Sequence, residues 1–154
     1  MKPELHSNLP PIIIDTREQQ PYAFDGWKTI SKKLDFGDYS LEGYETDCAV
    51  ERKSFADAYG CVGRSRHRFE RHLDGLRRML RPLIVIESGL AEFATPPRRT
   101  RVTAAQAIGS YISWSCTTGI PVVWTGSRAF AERVTLRWLV AFWKHRVSSD
   151  AVAC

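Results

Sequence analysis

Short apolar blocks alternate with longer amphipathic stretches along this chain, and the alternation predicts most of its elements. Ile12 to Ile14 is a continuous apolar run that stops abruptly at Asp15-Thr16-Arg17-Glu18, as a buried strand does at a functional edge. Residues 27–35 read as a second strand at a sheet edge. Residues 36–53 read as a β-hairpin turning near Gly43 and Tyr44. Ser54 is a suitable N-cap for a short helix closing at Gly60 or Gly63. Phe69, Leu73, Leu76 and Leu80 then form a helical stripe within residues 64–80. A buried strand follows at Leu83–Ile86, then a turn-rich basic loop, Pro96 to Arg101. A helix capped near Thr103 and ended by Gly119 leads to another buried strand within residues 120–126. A final amphipathic helix, capped by Ser127, runs to Arg146. Residues 1–10 are expected to be a flexible leader and 147–154 a flexible tail around one domain, 11–146.

Strands interleaved with helices predict an α/β sandwich, and the early hairpin makes its sheet mixed. The final helix carries Phe130, Trp138, Phe142 and Trp143, more aromatics than one core face needs. They suit either core packing or a partner surface such as a homodimer.

Composition narrows the class. With 154 residues, 44% of them hydrophobic, the chain can bury a real core and is not of disordered type. The long uncharged run over residues 102–127 is broken by Gly, Pro, Ser and Thr, so it reads as helix, turn and strand rather than a membrane span. The N-terminus lacks the apolar stretch of a secretory signal, and a cytoplasmic protein is expected. Cys48, Cys61, Cys116 and Cys154 are too widely spaced for a structural zinc site and read as free thiols.

The net charge of +5 is concentrated locally. Between Cys61 and Arg101 lie Arg64, Arg66, Arg68, Arg71, Arg77, Arg78, Arg81, Arg98, Arg99 and Arg101, against only Glu70, Asp74, Glu87 and Glu92. Such a surface suits a polyanion, whose counterions are released as phosphates are neutralised. A solvated basic helix would have the same composition.

The candidate chemistry sits in Glu51-Arg52-Lys53. Residues two apart on a strand share a face, so Glu51 and Lys53 project together and Arg52 projects the other way. If the hairpin turns at Tyr44–Glu45, Asp38 lies opposite Glu51 with its Cβ about 5 Å away. Two carboxylates so close favour a divalent cation between them, Asp15 being a candidate third. Lys53 is placed to stabilise charge on a phosphoryl group or to orient water. The same pattern also suits a turn aspartate and a surface ion pair.

Gly37-Asp38 followed by Glu51-Arg52-Lys53-x-x-x-Asp57 resembles the G-D…E-R-K-x-x-x-D signature of XPF-type nuclease domains, found in XPF and the archaeal Hef protein. The resemblance extends to residues 12–19, 68–89 and 107–127, and spans Ile12 to Arg146. It implies a restriction-endonuclease-like core and a Mg²⁺- or Mn²⁺-dependent, structure-selective DNA endonuclease acting on flap, fork or branched DNA, as in repair and recombination. It further implies that Asp38, Glu51 and the Arg52 main-chain carbonyl bind metal, and that Lys53 is the catalytic lysine. Asp15, Arg17 and Glu18 match the family's D-x-R-E residues. Asp57 matches the last motif position and, lying on the following helix, is expected to orient Lys53 or Arg52 rather than bind metal. Arg64 and Arg68 fall near the scissile phosphate; Arg66, Arg71, Arg98, Arg99 and Arg101 extend the DNA-binding surface. No helix-hairpin-helix tandem is expected after Arg146, so grip on duplex DNA would rest on the arginines, on a homodimer mate or on a helix-hairpin-helix-bearing partner. A non-catalytic scaffold subunit, or a nuclease of the same core acting on single-stranded DNA or RNA, are the alternatives.

Overall fold

The computed structural model describes residues 8–152, with side chains through Ser149. Among the described residues six strands and five helices are formed: β1 Ile12–Ile14, β2 Thr29–Ser31, β3 Tyr39–Leu41, β4 Cys48–Lys53, α1 Phe55–Val62, α2 Arg66–Leu76, β5 Arg81–Ile86, α3 Leu90–Phe93, α4 Ala104–Thr118, β6 Val122–Trp124 and α5 Arg128–Val152. The sheet order is β2-β1-β3-β4-β5-β6. β1 and β4 run antiparallel to β3, while the β1–β2, β4–β5 and β5–β6 pairs are parallel. The mixed sheet expected from the hairpin is present.

Each face of the sheet has its own core. Ala49, Ile84 and Ile86 pack with Phe69, Leu73, Tyr111 and Trp114 under α1, α2 and α4. Cys48, Val50, Leu83 and Val85 pack with Ala131, Leu139 and Phe142 of α5. The period-two alternation of β4 therefore sends residues 49, 51 and 53 toward the α2 layer, and 48, 50 and 52 toward α5. This parity governs everything at the site.

The helix ends follow their capping residues. Ser54 accepts from the Asp57 amide, Thr103 and Gln106 form a reciprocal capping box, and Gly119 closes α4 with a left-handed φ of 74°. Ser127 accepts from the Phe130 amide at the start of α5. Two expectations change, one for β6 and one for α5, and one element is new. The short α3, not anticipated, lies between β5 and the basic loop of residues 96–101, which is present as expected. β6 is half-buried at the sheet edge rather than fully buried. α5 continues through Val152, so residues 147–152 are helical and the helix does not stop at Arg146. Of the final helix's aromatics, Phe142 is buried, Trp138 and Trp143 pack against the core, and only Phe130 is largely exposed, at 55%. The expected leader lies mostly outside the described residues, as does Cys154. Among the described residues, Cys48, Cys61 and Cys116 are free thiols, and no helix is long and apolar enough to cross a membrane.

Candidate active site

β3 and β4 meet in the register that a Tyr44–Glu45 turn requires: Tyr39 pairs with Val50. The Asp38 amide donates to the Val50 carbonyl at 2.9 Å, and the Arg52 amide donates to Asp38 Oδ2 at 2.7 Å. Asp38 thus sits opposite Glu51 on the face toward α2. Gly37 makes this approach possible. Its φ is +83°, and a Cβ there would lie 2.8 Å from the Ala49 Cβ and 3.3 Å from the Val50 carbonyl oxygen. Gly37→Ala is expected to cost about 1–3 kcal/mol in urea unfolding, from backbone strain and overpacking together. Unchanged stability would contradict that account.

On the same face, Lys53 Nζ lies 2.6 Å from Glu51 Oε1 and 5.0 Å from the centre of the Phe69 ring. The other carboxylate oxygen, Glu51 Oε2, is 2.7 Å from His72 Nε2. Burial alone would raise Glu51, but Lys53 and His72 overcome it and hold the carboxyl at about 2. Asp38 behaves in the opposite way. Burial and the adjacent Glu51 charge push it well above the ordinary aspartate value, against the opposing Arg52 amide and Lys53. Burial would lower Lys53, yet Glu51 and Asp38 raise it, so it remains a cation. The site is one ionised glutamate, one aspartate that resists ionisation and one fixed ammonium.

The opposite face carries an ion-pair network. Arg52 grips Glu18 with two bonds, Nε–Oε2 at 2.9 Å and Nη2–Oε1 at 3.0 Å, and reaches Glu87 Oε1 at 3.2 Å. Glu87 also accepts from Tyr22 Oη at 2.9 Å and from Arg128 Nη1 at 3.0 Å. Arg128 donates onward to the carbonyls of Gln20 and Pro21 and stacks on Tyr22. The loop after β1, the ends of β4 and β5, and the first turn of α5 are thereby tied together.

Of the residues singled out in the sequence, Asp38, Glu51 and Lys53 converge. Asp15 is buried beside them, its amide donating to the Asp38 carbonyl, but its carboxylate is paired with Arg17 Nε at 2.9 Å. Glu18 and Arg52 belong to the network on the other face. Asp57 is placed differently from expectation. It is exposed and accepts from Ser54 Oγ at 2.6 Å, an N-terminal helix contact rather than one to Lys53 or Arg52. Arg64, Arg68, Arg71, Arg98, Arg99 and Arg101 are exposed, while Arg66 is half-buried against α4. His72, Glu87, Arg128, Tyr22 and Phe69 were not anticipated. Phe69 lay in the predicted stripe, and His72, three residues on, flanks that stripe.

His72 holds the oxygen of Glu51 that Lys53 does not. If Glu51 holds a metal ion, as the resemblance implies, His72→Ala is expected to slow phosphodiester cleavage about tenfold or more, and His72→Gln to recover most of it by restoring a donor. Single-turnover rates measured beside melting curves would check this. Equal rates for His72→Ala and wild type would contradict the role.

Among the described residues no three His, Cys, Asp or Glu side chains gather as a metal cluster. The Asp38–Glu51 pair nevertheless fits a hard divalent cation. It offers two carboxylates on one face, and the conflict that opposes Asp38 ionisation is one a cation would relieve.

A mixed sheet covered by helices on both faces, with this carboxylate–lysine face at the end of β4, has the α/β restriction-endonuclease-like fold. Residues 14–137 match the ERCC4 domain model, and the chain belongs to that family of XPF-type nuclease domains. Two solved structures of XPF from Aeropyrum pernix share the fold. One superposes with a TM-score of 0.69 at 21% identity, covering 92% of this chain and 69% of that one. The other, an XPF complex with DNA, gives a TM-score of 0.68 at 22% identity, covering 88% of this chain and 66% of that one. Among curated proteins no sequence matches significantly.

Proposed function

We propose that the protein is a metal-dependent, structure-selective DNA endonuclease that hydrolyses phosphodiester bonds in flap, fork or branched DNA. The observation that carries this reading is the convergence of Asp38, Glu51 and Lys53 on one face, with Asp38 destabilised as an anion and Lys53 fixed as a cation. Asp38, Glu51 and the Arg52 carbonyl would hold Mg²⁺ or Mn²⁺. When bound, the ion supplies Lewis acidity toward a phosphoryl oxygen and lowers the pKa of water.

The chain's own residues do the rest. Lys53 is held as a cation by Glu51 and Asp38, and its ammonium donates to the phosphoryl oxygens as negative charge builds on them. Glu51 and Phe69 aim that ammonium, and His72 fixes the glutamate. Arg68, one turn before His72 on the same flank of α2, meets the phosphate backbone nearby, with Arg64 and Arg71 extending the basic surface. The Aeropyrum XPF solved with DNA supports the choice of polymer. A second copy of the chain, or a helix-hairpin-helix-bearing partner, would add grip on duplex, and the exposed Phe130 is an apolar feature suited to such a contact.

The test is a panel of end-labelled flap, fork, splayed-arm and plain duplex DNA, each with Mg²⁺ or with EDTA. Cleavage confined to branched substrates and abolished by EDTA is expected. Cleavage of plain duplex alone, or undiminished cleavage in EDTA, would overturn the assignment.

A further inference from the structure

The arginines of α2 do not form one surface. Arg68 shares a flank with His72, toward the carboxylates, and Arg71 faces outward. Arg66 lies on the other flank, six residues before His72, about 9 Å along the helix and about 120° around it. There it lines a groove of about 480 Å³ with Val62, Arg101 and the exposed face of α4. The side chains α4 contributes include Gln106, Ser110 and Ser113, and the lining carries two arginines and no acid.

Three contacts hold the Arg66 side chain in place. Its Nη1 donates to Ser110 Oγ at 2.9 Å, its Nε pairs with Glu70 Oε1 at 2.9 Å, and its guanidinium stacks 5.0 Å from the centre of the Trp114 ring. Glu70 is itself anchored by the Trp114 indole N–H at 3.3 Å. A stacked, forked guanidinium loses little freedom on meeting a phosphate. Gly109, midway along the α4 wall, leaves open space: a Cβ there would meet nothing within 4 Å.

We propose that the groove between α2 and α4, lined by Arg66, Arg101, Gln106, Ser110 and Ser113, is a second binding site for the sugar–phosphate backbone of a DNA strand, across α2 from the carboxylate pair. It deepens and rests on the nuclease reading above. A strand that passes the Asp38–Glu51 face crosses α2 and enters the groove, where Arg66 and Arg101 neutralise phosphates and the α4 hydroxyls and amide donate to their oxygens. Contacts of this kind position a strand without reading its sequence. One domain thus holds a strand on both sides of a helix.

Gly109 supplies a test that leaves the arginines untouched. Lys, Glu and Ala are all better helix formers than Gly, and the space is open, so the variants fold. Binding of a fluorescein-labelled splayed-arm DNA is followed by anisotropy in EDTA. Gly109→Glu is expected to weaken it about fivefold or more, Gly109→Lys to tighten it about twofold or more, and Gly109→Ala to leave it unchanged. Ser148→Glu, toward the end of α5, makes the same change in net charge and is expected to bind as wild type. Arg101→Ala should flatten the slope of log K against log salt by about 0.7 on a single strand. The groove assignment falls if Gly109→Glu and Gly109→Lys bind like wild type, or if Ser148→Glu weakens binding as much as Gly109→Glu. Its failure is distinguishable from that of the nuclease reading, which falls instead if the wild type cuts none of the branched substrates.

Discussion

Arg52→Ala is expected to destabilise the domain by about 3 kcal/mol at neutral pH, lowering the melting temperature by about 6–12 °C. The side chain is only 11% exposed, and its two acid partners, Glu18 and Glu87, are 4% and 10% exposed. Removing it strands carboxylates rather than merely deleting an attraction. Glu87 keeps Arg128 and Tyr22, so Glu18 bears most of the penalty. Burial would raise Glu18, but Arg52 holds it below the ordinary glutamate value. Its contribution is therefore present above about pH 4.5 and lost as the pH falls through the depressed folded value. The difference between Arg52→Ala and wild type should shrink on acidification. Arg52→Lys should restore only part of the stability, because a lysine cannot fork onto one acid and reach another. A melting temperature unchanged by Arg52→Ala at pH 7 would show that the network contributes nothing.

Asp38→Asn should separate stability from activity. Loss of a metal-binding carboxylate is expected to reduce cleavage about a thousandfold, about 4 kcal/mol of transition-state stabilisation. In EDTA the same variant should melt higher than wild type. The folded-state pKa of Asp38 is raised, by burial first and by Glu51 second. The folded protein therefore binds this proton more tightly than the unfolded chain, and wild-type stability falls as pH rises from about 4 toward the raised folded value. Asparagine does not titrate, so the advantage of Asp38→Asn should widen over that window and then level off. A variant that melts lower than wild type at pH 8 in EDTA would contradict the strained-carboxylate account.

The face that carries Asp38, Glu51 and Lys53 was legible because its geometry is local. Strand parity separates Glu51 and Lys53 from Arg52, and a short hairpin leaves few registers, one of which brings Asp38 opposite Glu51. The supporting residues were not legible in the same way. His72 meets Glu51 only because α2 lies across β4, and Arg128 meets Glu87 only because α5 covers the opposite face. These contacts join positions 21 and 41 residues apart, and no local pattern encodes them. Asp57 is a different lesson. Ser54-Phe55-Ala56-Asp57 carries a helix-start signature, and the observed Ser54–Asp57 bond follows it, although the motif spacing had pointed to the lysine. The final helix runs past the expected end at Arg146, where the hydroxyls of Ser148 and Ser149 bond back to the carbonyls of Lys144 and His145 and leave the backbone helical.

The central claim is that Asp38, Glu51 and Lys53 form a metal-dependent hydrolytic centre. Single-turnover cleavage of an end-labelled splayed-arm DNA in Mg²⁺, by wild type and by Lys53→Ala shown by melting to be folded, tests it most directly. The account predicts cleavage by wild type that stops in EDTA, and at least about a hundredfold slower cleavage by Lys53→Ala. Equal rates for the two proteins, with folding intact, would contradict it.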